Sequence, residues 1–279
     1  MQSLRNLALA GAAALAFVPA AARGADLPAP PMFRAPIVED YGAWYLRGDI
    51  GITNQRVKKL DSPAPGFDTT TELVKGFDSS GLFGLGIGYK FNNWFRADVT
   101  GEYRAKAHFS ELDNFPCTIN GTDCTTGFQT DRFEGTKSEW LFLLNTYFDL
   151  GTWHSVTPFV GAGIGFDRLT IGNFTDTNIN AAGGAIGFSG DNSRWNFAWA
   201  LHAGLAYQVT PNFTVELAYR FVSLGNGATK DLIGFDGTNA TFNPILFKHV
   251  TSNDIKLGVR WMFADNFFPS YEPPLIRKY

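Results

Sequence analysis

The side chains able to do chemistry in this chain are ionised groups spaced two residues apart. Between positions 94 and 109, Arg96, Asp98, Glu102, Arg104, Lys106 and His108 fall on one parity with Trp94 and Thr100, while Phe95, Ala97, Val99, Gly101, Tyr103, Ala105, Ala107 and Phe109 fall on the other. A helix would scatter these charges around its circumference. A strand sends alternate side chains to opposite faces, so the stretch reads as a strand with one charged and one apolar face. Charges on matching parities recur at Arg47 and Asp49, at Glu216 and Arg220, at Asp254, Lys256 and Arg260, and at Asp149 and Asp167. Acids and bases gathered on one face can pair across strands, whereas a ring of one sign would make an ion-selective filter. The signs balance here. Arg47, Asp49, Arg96, Asp98, Glu102, Arg104, Glu216, Arg220, Asp254, Lys256 and Arg260 are therefore expected to form a structural network, in which a charge left without its partner costs several kcal/mol.

Catalysis finds less support. The histidines, His108, His154, His202 and His249, fall on different strands, turns or loop edges, and neither Gly-x-Ser-x-Gly nor a zinc-spaced ligand set occurs. His202 points inward among small residues and reads as a hydrogen-bonded structural residue. No enzyme, metal or cofactor is expected. Cys117 and Cys124 are the two cysteines, close together in a polar segment, and in an exported chain they are expected to close that loop as a disulfide. A metal pair would lack companion ligands.

These charges need strands to position them, and alternation marks out eight: 43–53, 82–91, 94–109, 136–150, 157–169, 194–209, 213–224 and 250–263. Long polar stretches at 54–80, 170–193 and 226–247, and the cysteine loop, alternate with short turns such as Asn92-Asn93 and Thr210-Pro211-Asn212. Each strand is long enough to cross a bilayer, which takes ~9 to 11 tilted residues. A soluble sandwich would turn its apolar parity to a core; a membrane barrel turns it to lipid. Aromatic placement separates the two. Trp44, Tyr89, Phe95, Phe148, Tyr207, Phe213, Trp261 and Phe263 all lie at the short-turn ends of their strands, and Trp140, Phe166, Trp195 and Phe221 gather toward the other end, as two membrane-interface girdles would. The fold expected is all-β: an eight-stranded antiparallel up-and-down transmembrane β-barrel with long extracellular loops and short periplasmic turns.

Export agrees. Residues 1–24 read as a signal peptide, with Arg5, an apolar core at 7–18 and the small-x-small site Ala22-Arg23-Gly24. A proline-rich periplasmic segment at 25–42, the barrel at 43–263 and a periplasmic tail at 264–279 complete the expected organisation. Hydrophobic residues make up 45% of the chain and charged ones 18%, yet mean hydropathy is only -0.07, because alternating strands cancel in the average. With 23 Lys+Arg against 26 Asp+Glu and no basic block, a nucleic-acid partner is not expected.

Ala25-Asp26-Leu27-Pro28, Thr157-Pro158-Phe159-Val160-Gly161-Ala162-Gly163, Thr210-Pro211-Asn212-Phe213 leading into Glu216-Leu217-Ala218-Tyr219-Arg220, and Leu257-Gly258-Val259-Arg260 give the chain a further signature. With them it resembles the small outer-membrane β-barrel proteins of alphaproteobacteria, surface antigens also called porin family, akin to the OmpA transmembrane domain and opacity-type adhesins. The resemblance implies an outer-membrane location, contact with lipid and lipopolysaccharide, and a structural, surface-exposed role. The alternatives it leaves are an adhesin or receptor binding host or surface ligands through its loops, a narrow diffusion pore and, least favoured, a lipid A-modifying enzyme. Relatives usually end on the last-strand aromatic that the barrel insertion machinery reads. Here either Trp261-Met262-Phe263 serves internally or Tyr279 takes that part. Ala25-Asp26 also matches the pair through which some relatives are attached to peptidoglycan.

Overall fold

The computed structural model describes residues 42–65, 67–116, 127–179, 185–239 and 241–263. The signal segment, nearly all of the proline-rich segment, the tail, Cys117 and Cys124 lie outside them. Alternation of small or charged with apolar residues produces long strands: β1 (Ala43–Asp61), β2 (Thr71–Phe77), β3 (Ser80–Lys90), β4 (Phe95–Pro116), β5 (Phe128–Asp149), β6 (Val156–Asn178), β7 (Ala185–Ser189), β8 (Asn192–Thr210), β9 (Phe213–Ala228), β10 (Ile233–Gly234) and β11 (Leu246–Met262). One short 3-10 turn, Phe67–Thr69, precedes β2.

Hydrogen bonding runs β6-β5-β4-β3-β1-β11-β9-β8, and β8 pairs back onto β6, so eight antiparallel lanes close into a ring. β2 pairs with β4 above β3, and β7 pairs with β6 above β8. Each thus continues its neighbour's lane after a two-residue interruption, at Asp78 and Ser79 or at Gly190 and Asp191. β10 adds to the free side of β7. The short turns lie at one end. Between β5 and β6, His154 and Ser155 both take positive φ (49° and 65°) while Trp153 and Val156 exchange backbone hydrogen bonds of 2.9 Å, a two-residue hairpin loop.

The expected loops at 54–80 and 170–193 are largely strand, whereas 226–247 is mostly loop, with only the end of β9, the two-residue β10 and the start of β11 inside it. β1 runs on to Asp61, β6 to Asn178 and β9 to Ala228. With β4, β5 and β6 at 22 or 23 residues, about half of each stands clear of a bilayer that ~9 to 11 residues cross. Many exposed residues of this upper half, such as Arg56, Lys58, His108 and Arg132, are polar, which makes the segments look like loops.

Candidate functional site: a filled lumen under an aromatic cap

The inward parity of the lower half places ion pairs in two tiers. Near the short turns, Arg47 bridges Asp98 at 2.7 Å and Asp49 at 2.9 Å, with Glu216 at 3.4 Å. Arg96 reaches Asp149 at 3.2 Å and Glu216 at 3.3 Å and stacks over Tyr147, 4.1 Å from the ring centroid. Arg260 meets the same Glu216 at 3.1 Å. In the upper tier Arg104 holds Asp254 bidentately at 2.9 and 3.0 Å and Glu139 at 2.8 Å. Arg220 binds Asp254 at 2.7 Å and Glu102 at 2.5 Å, and Lys256 lies 3.4 Å from both Asp49 and Glu102. Every one of these side chains is buried. Because Arg presents a planar fork of five donors, each guanidinium can join carboxylates from different strands, and adjacent lanes are tied across the interior.

Small residues make room for this filling. A Cβ on Gly88 would sit 2.3 Å from the Tyr45 ring, and one on Gly163 would sit 2.2 Å from Asn145 Oδ1. That same Asn145 oxygen pairs with His202 Nε2 at 3.2 Å, and Asn145 donates to Asp98 at 2.8 Å. His202 is thus held within the network.

Above the ion pairs the inner face changes character. Lys137 pairs with Glu139 and lies 5.1 Å from the Phe77 ring centroid. There the charged tier meets a buried cluster of Phe77, Phe109, Phe133, Phe174, Phe247 and neighbouring aliphatics. Phe247 is its hub, with ring centroids 4.9 Å from Phe109 and 6.1 Å from Phe77 and Phe174. The lumen is thus filled with ion pairs below and closed by phenyl rings above.

On the outside, one rim carries Trp44 against Tyr89 (5.2 Å), Phe95 against Phe148 (5.4 Å) and Phe213 against Trp261 (5.9 Å). The amide of Phe263 bonds to the Trp44 carbonyl, and Tyr207 is exposed near the β8–β9 turn. The second rim carries Tyr103 against Trp140 (5.0 Å) and Phe142 against Trp195 (6.3 Å). Between the rims the exposed side chains include Leu46, Ile50, Leu85, Val99, Leu144, Ile164, Leu201, Leu217 and Leu257. This is an apolar band bounded by aromatic girdles.

Across residues 8–263 the sequence matches the outer membrane protein beta-barrel domain family. The chain belongs to that family. An uncharacterized protein of Brucella abortus is 30% identical over 210 residues, 66% of this chain and 69% of its own length. Outer membrane protein PagN of Salmonella typhimurium is 27% identical over 235 residues, covering 78% and 89%. A putative adhesin of Rickettsia rickettsii is 24% identical over 224 residues, covering 78% and 87%. Among solved structures, OprG of Pseudomonas aeruginosa aligns over 80% of this chain and 97% of its own at 11% identity with a TM-score of 0.48.

This outer membrane β-barrel protein therefore sits in the outer membrane with its apolar band against lipid. The family consists mostly of barrels that catalyse no reaction. Arg47, Asp49, Arg96, Asp98, Glu102, Arg104, Glu216, Arg220, Asp254, Lys256 and Arg260 all lie in the two ion-pair tiers. Lys137 and Glu139 join the upper tier; alternation puts Glu139 on the inward parity, and Lys137 is the residue it does not single out. Their signal was the parity they share with Asn145, Tyr147 and Asp149. Leu141 and Leu143, on that parity too, are buried inside.

Lys106 and His108 are a correction. Alternation places them with Arg104, yet they face outward. Between Arg104 and Ala107, β4 carries one residue more than the facing stretch of β5, and this bulge exchanges the two faces. Ala107 and Phe109 then turn inward.

Proposed function

We propose that this protein is a non-conducting, non-catalytic barrel that reinforces the outer membrane and holds a rigid strand-built rim above it. The observation that carries this is the lumen. Seven basic groups, Arg47, Arg96, Arg104, Lys137, Arg220, Lys256 and Arg260, interlock with carboxylates under the phenyl cap. An eight-stranded barrel has only enough interior for its own side chains or one small ligand. Mixed charges held in pairs offer no ring of one sign for ions to follow.

Planar-bilayer recording of the refolded chain tests the proposal. The expected result is no single-channel steps at neutral pH and moderate voltage. Regular, concentration-dependent conductance would make it a pore instead.

A second reading, a surface-binding protein, draws support from the putative adhesin among the relatives and from the height of the rim. Deleting the rim hairpin between β4 and β5 while keeping the barrel should then abolish cell binding. Arg56 and Lys106 face outward above the girdle, and Arg168 lies in register between Trp140 and Trp195, a placement suited to lipopolysaccharide phosphates. Cleavage before Ala25, a Cys117–Cys124 disulfide, insertion directed by Trp261-Met262-Phe263 or by Tyr279, and attachment of Ala25 to peptidoglycan complete the reading. Mass spectrometry of the mature, non-reduced protein and its muropeptides tests cleavage, the disulfide and the attachment.

A further inference from the structure

At the outer mouth, above the phenyl cap, lies a cleft of about 150 Å³ whose charge goes unanswered. Its walls are Phe67, Phe115, Phe133, Leu232 and Ile245, and three carboxyl groups project among them: Asp113 from β4, Asp131 from β5 and Asp176 from β6. Asp113 and Asp131 are directly opposite in the ladder, a position where like charges repel. Asp176 stands opposite Phe133 on the next strand, diagonal to Asp131. Asp113 is only 2% exposed, and its Oδ1, like that of Asp131, has no hydrogen-bond partner. A buried carboxylate oxygen without a donor is costly unless something neutralises it.

The Asp131 backbone amide donates to the Asp113 carboxyl, but the surrounding elements supply no counter-charge. From β4, Glu111 adds another acid, and its Oε2 is also unpartnered. From β2 come Glu72 and Lys75, but Lys75 is engaged by Glu72 and by the Lys58 carbonyl. From the segment before β11, Asp231 accepts from the Asn243 amide, while Asp236 accepts from Thr238. No Lys, Arg or His lines the cleft among the described residues. Nor do the described residues bring three acid, His or Cys groups close enough together to hold a metal ion. Carboxylates from three neighbouring strands in a cleft walled by Phe67, Phe115 and Phe133 suit a larger cation with an apolar body, since aromatic faces attract guanidinium and ammonium groups.

We propose that this cleft is a binding site for an organic cation, an ammonium or guanidinium group on an apolar stem, with Asp113, Asp131 and Asp176 as its counter-charges. The site lies outside the membrane and stands whether or not the lumen conducts. Burial pushes the Asp113 carboxyl up to about 6, and burial together with the neighbouring aspartates raises Asp131 and Asp176 as well. A cation entering at neutral pH therefore displaces protons.

The test uses the full chain refolded in detergent, with benzamidine as probe and its neutral isostere benzamide as control, followed by NMR titration. Saturable benzamidine binding at pH 8 is expected, weakened by at least about tenfold, or ~1.4 kcal/mol, at pH 5 and in Asp113→Asn/Asp131→Asn. Benzamide should not bind. A blocked arginine amide is titrated in parallel. Tighter binding of the amide assigns the cation to a basic peptide side chain, and tighter binding of benzamidine assigns it to a free amine or amidine. Equal binding of benzamide, unchanged affinity in the double variant, no saturation, or saturation by calcium in place of benzamidine would each overturn the proposal. The benzamide comparison uses the natural chain, so the outcome does not depend on how the variant folds.

Discussion

Arg104 and Lys106 are two residues apart and chemically alike, yet they have opposite surroundings. Arg104 is fully buried and joins Asp254, Glu139 and Glu102. Lys106 faces water beyond the bulge. Removing one partner from a buried ion network leaves uncompensated charge and costs about 3 to 5 kcal/mol, while a surface substitution stays within about 0.5 kcal/mol. Arg104→Ala should therefore lower the urea midpoint of the refolded barrel strongly, and Lys106→Ala should leave it unchanged. Equal effects would contradict the bulge. The inward residues from Arg96 to Arg104 were legible from alternation because pleating alone assigns them. Lys106 was not, since a bulge leaves the alternation in sequence unbroken while it exchanges the faces in space.

The same limit applies to whole elements. Lower strand halves show apolar residues to lipid and charges inward; upper halves show many polar residues outward, beside exposed Val74 and Phe128, and Phe77, Phe109, Phe133 and Phe174 inward. Read as sequence, the upper halves mix polar residues with scattered glycine and so resemble loops, although β1, β6 and β9 continue through them. What no local pattern conveys is that the apolar residues of these separate segments converge on one cap. The rim strands also carry carboxyls whose folded-state affinity for protons is raised, Asp113 to about 6 and Glu111 to about 8, chiefly by burial. The closed rim then binds more protons than the opened one between the ordinary carboxylate range near ~4 and these raised values, so its stability falls as pH rises through that window. Amide exchange in β4 and β5 around Asp113 and Asp131, corrected for its intrinsic pH dependence, should be slower at pH 5 than at pH 8. Replacement of both residues by Asn should flatten the difference. Protection independent of pH in the natural chain would contradict the acidic rim.

At the scale of the molecule, the barrel is a single ring with two cores of opposite design. In the membrane the hydrocarbon serves as the apolar phase, so charge is driven inward and must be paired there. Above the membrane, water is outside, and the ordinary burial of apolar side chains resumes. The exchange of faces at the upper girdle divides the two cores. Single-cysteine labelling along β4 on intact cells measures it most directly, using chains in which Cys117 and Cys124 are replaced by Ser. Lys106→Cys and His108→Cys should react fully with a membrane-impermeant maleimide, and Val99→Cys and Phe109→Cys should not react, the first facing lipid and the second facing the cap. Labelling at Val99 or Phe109 equal to that at Lys106 and His108 would contradict the account.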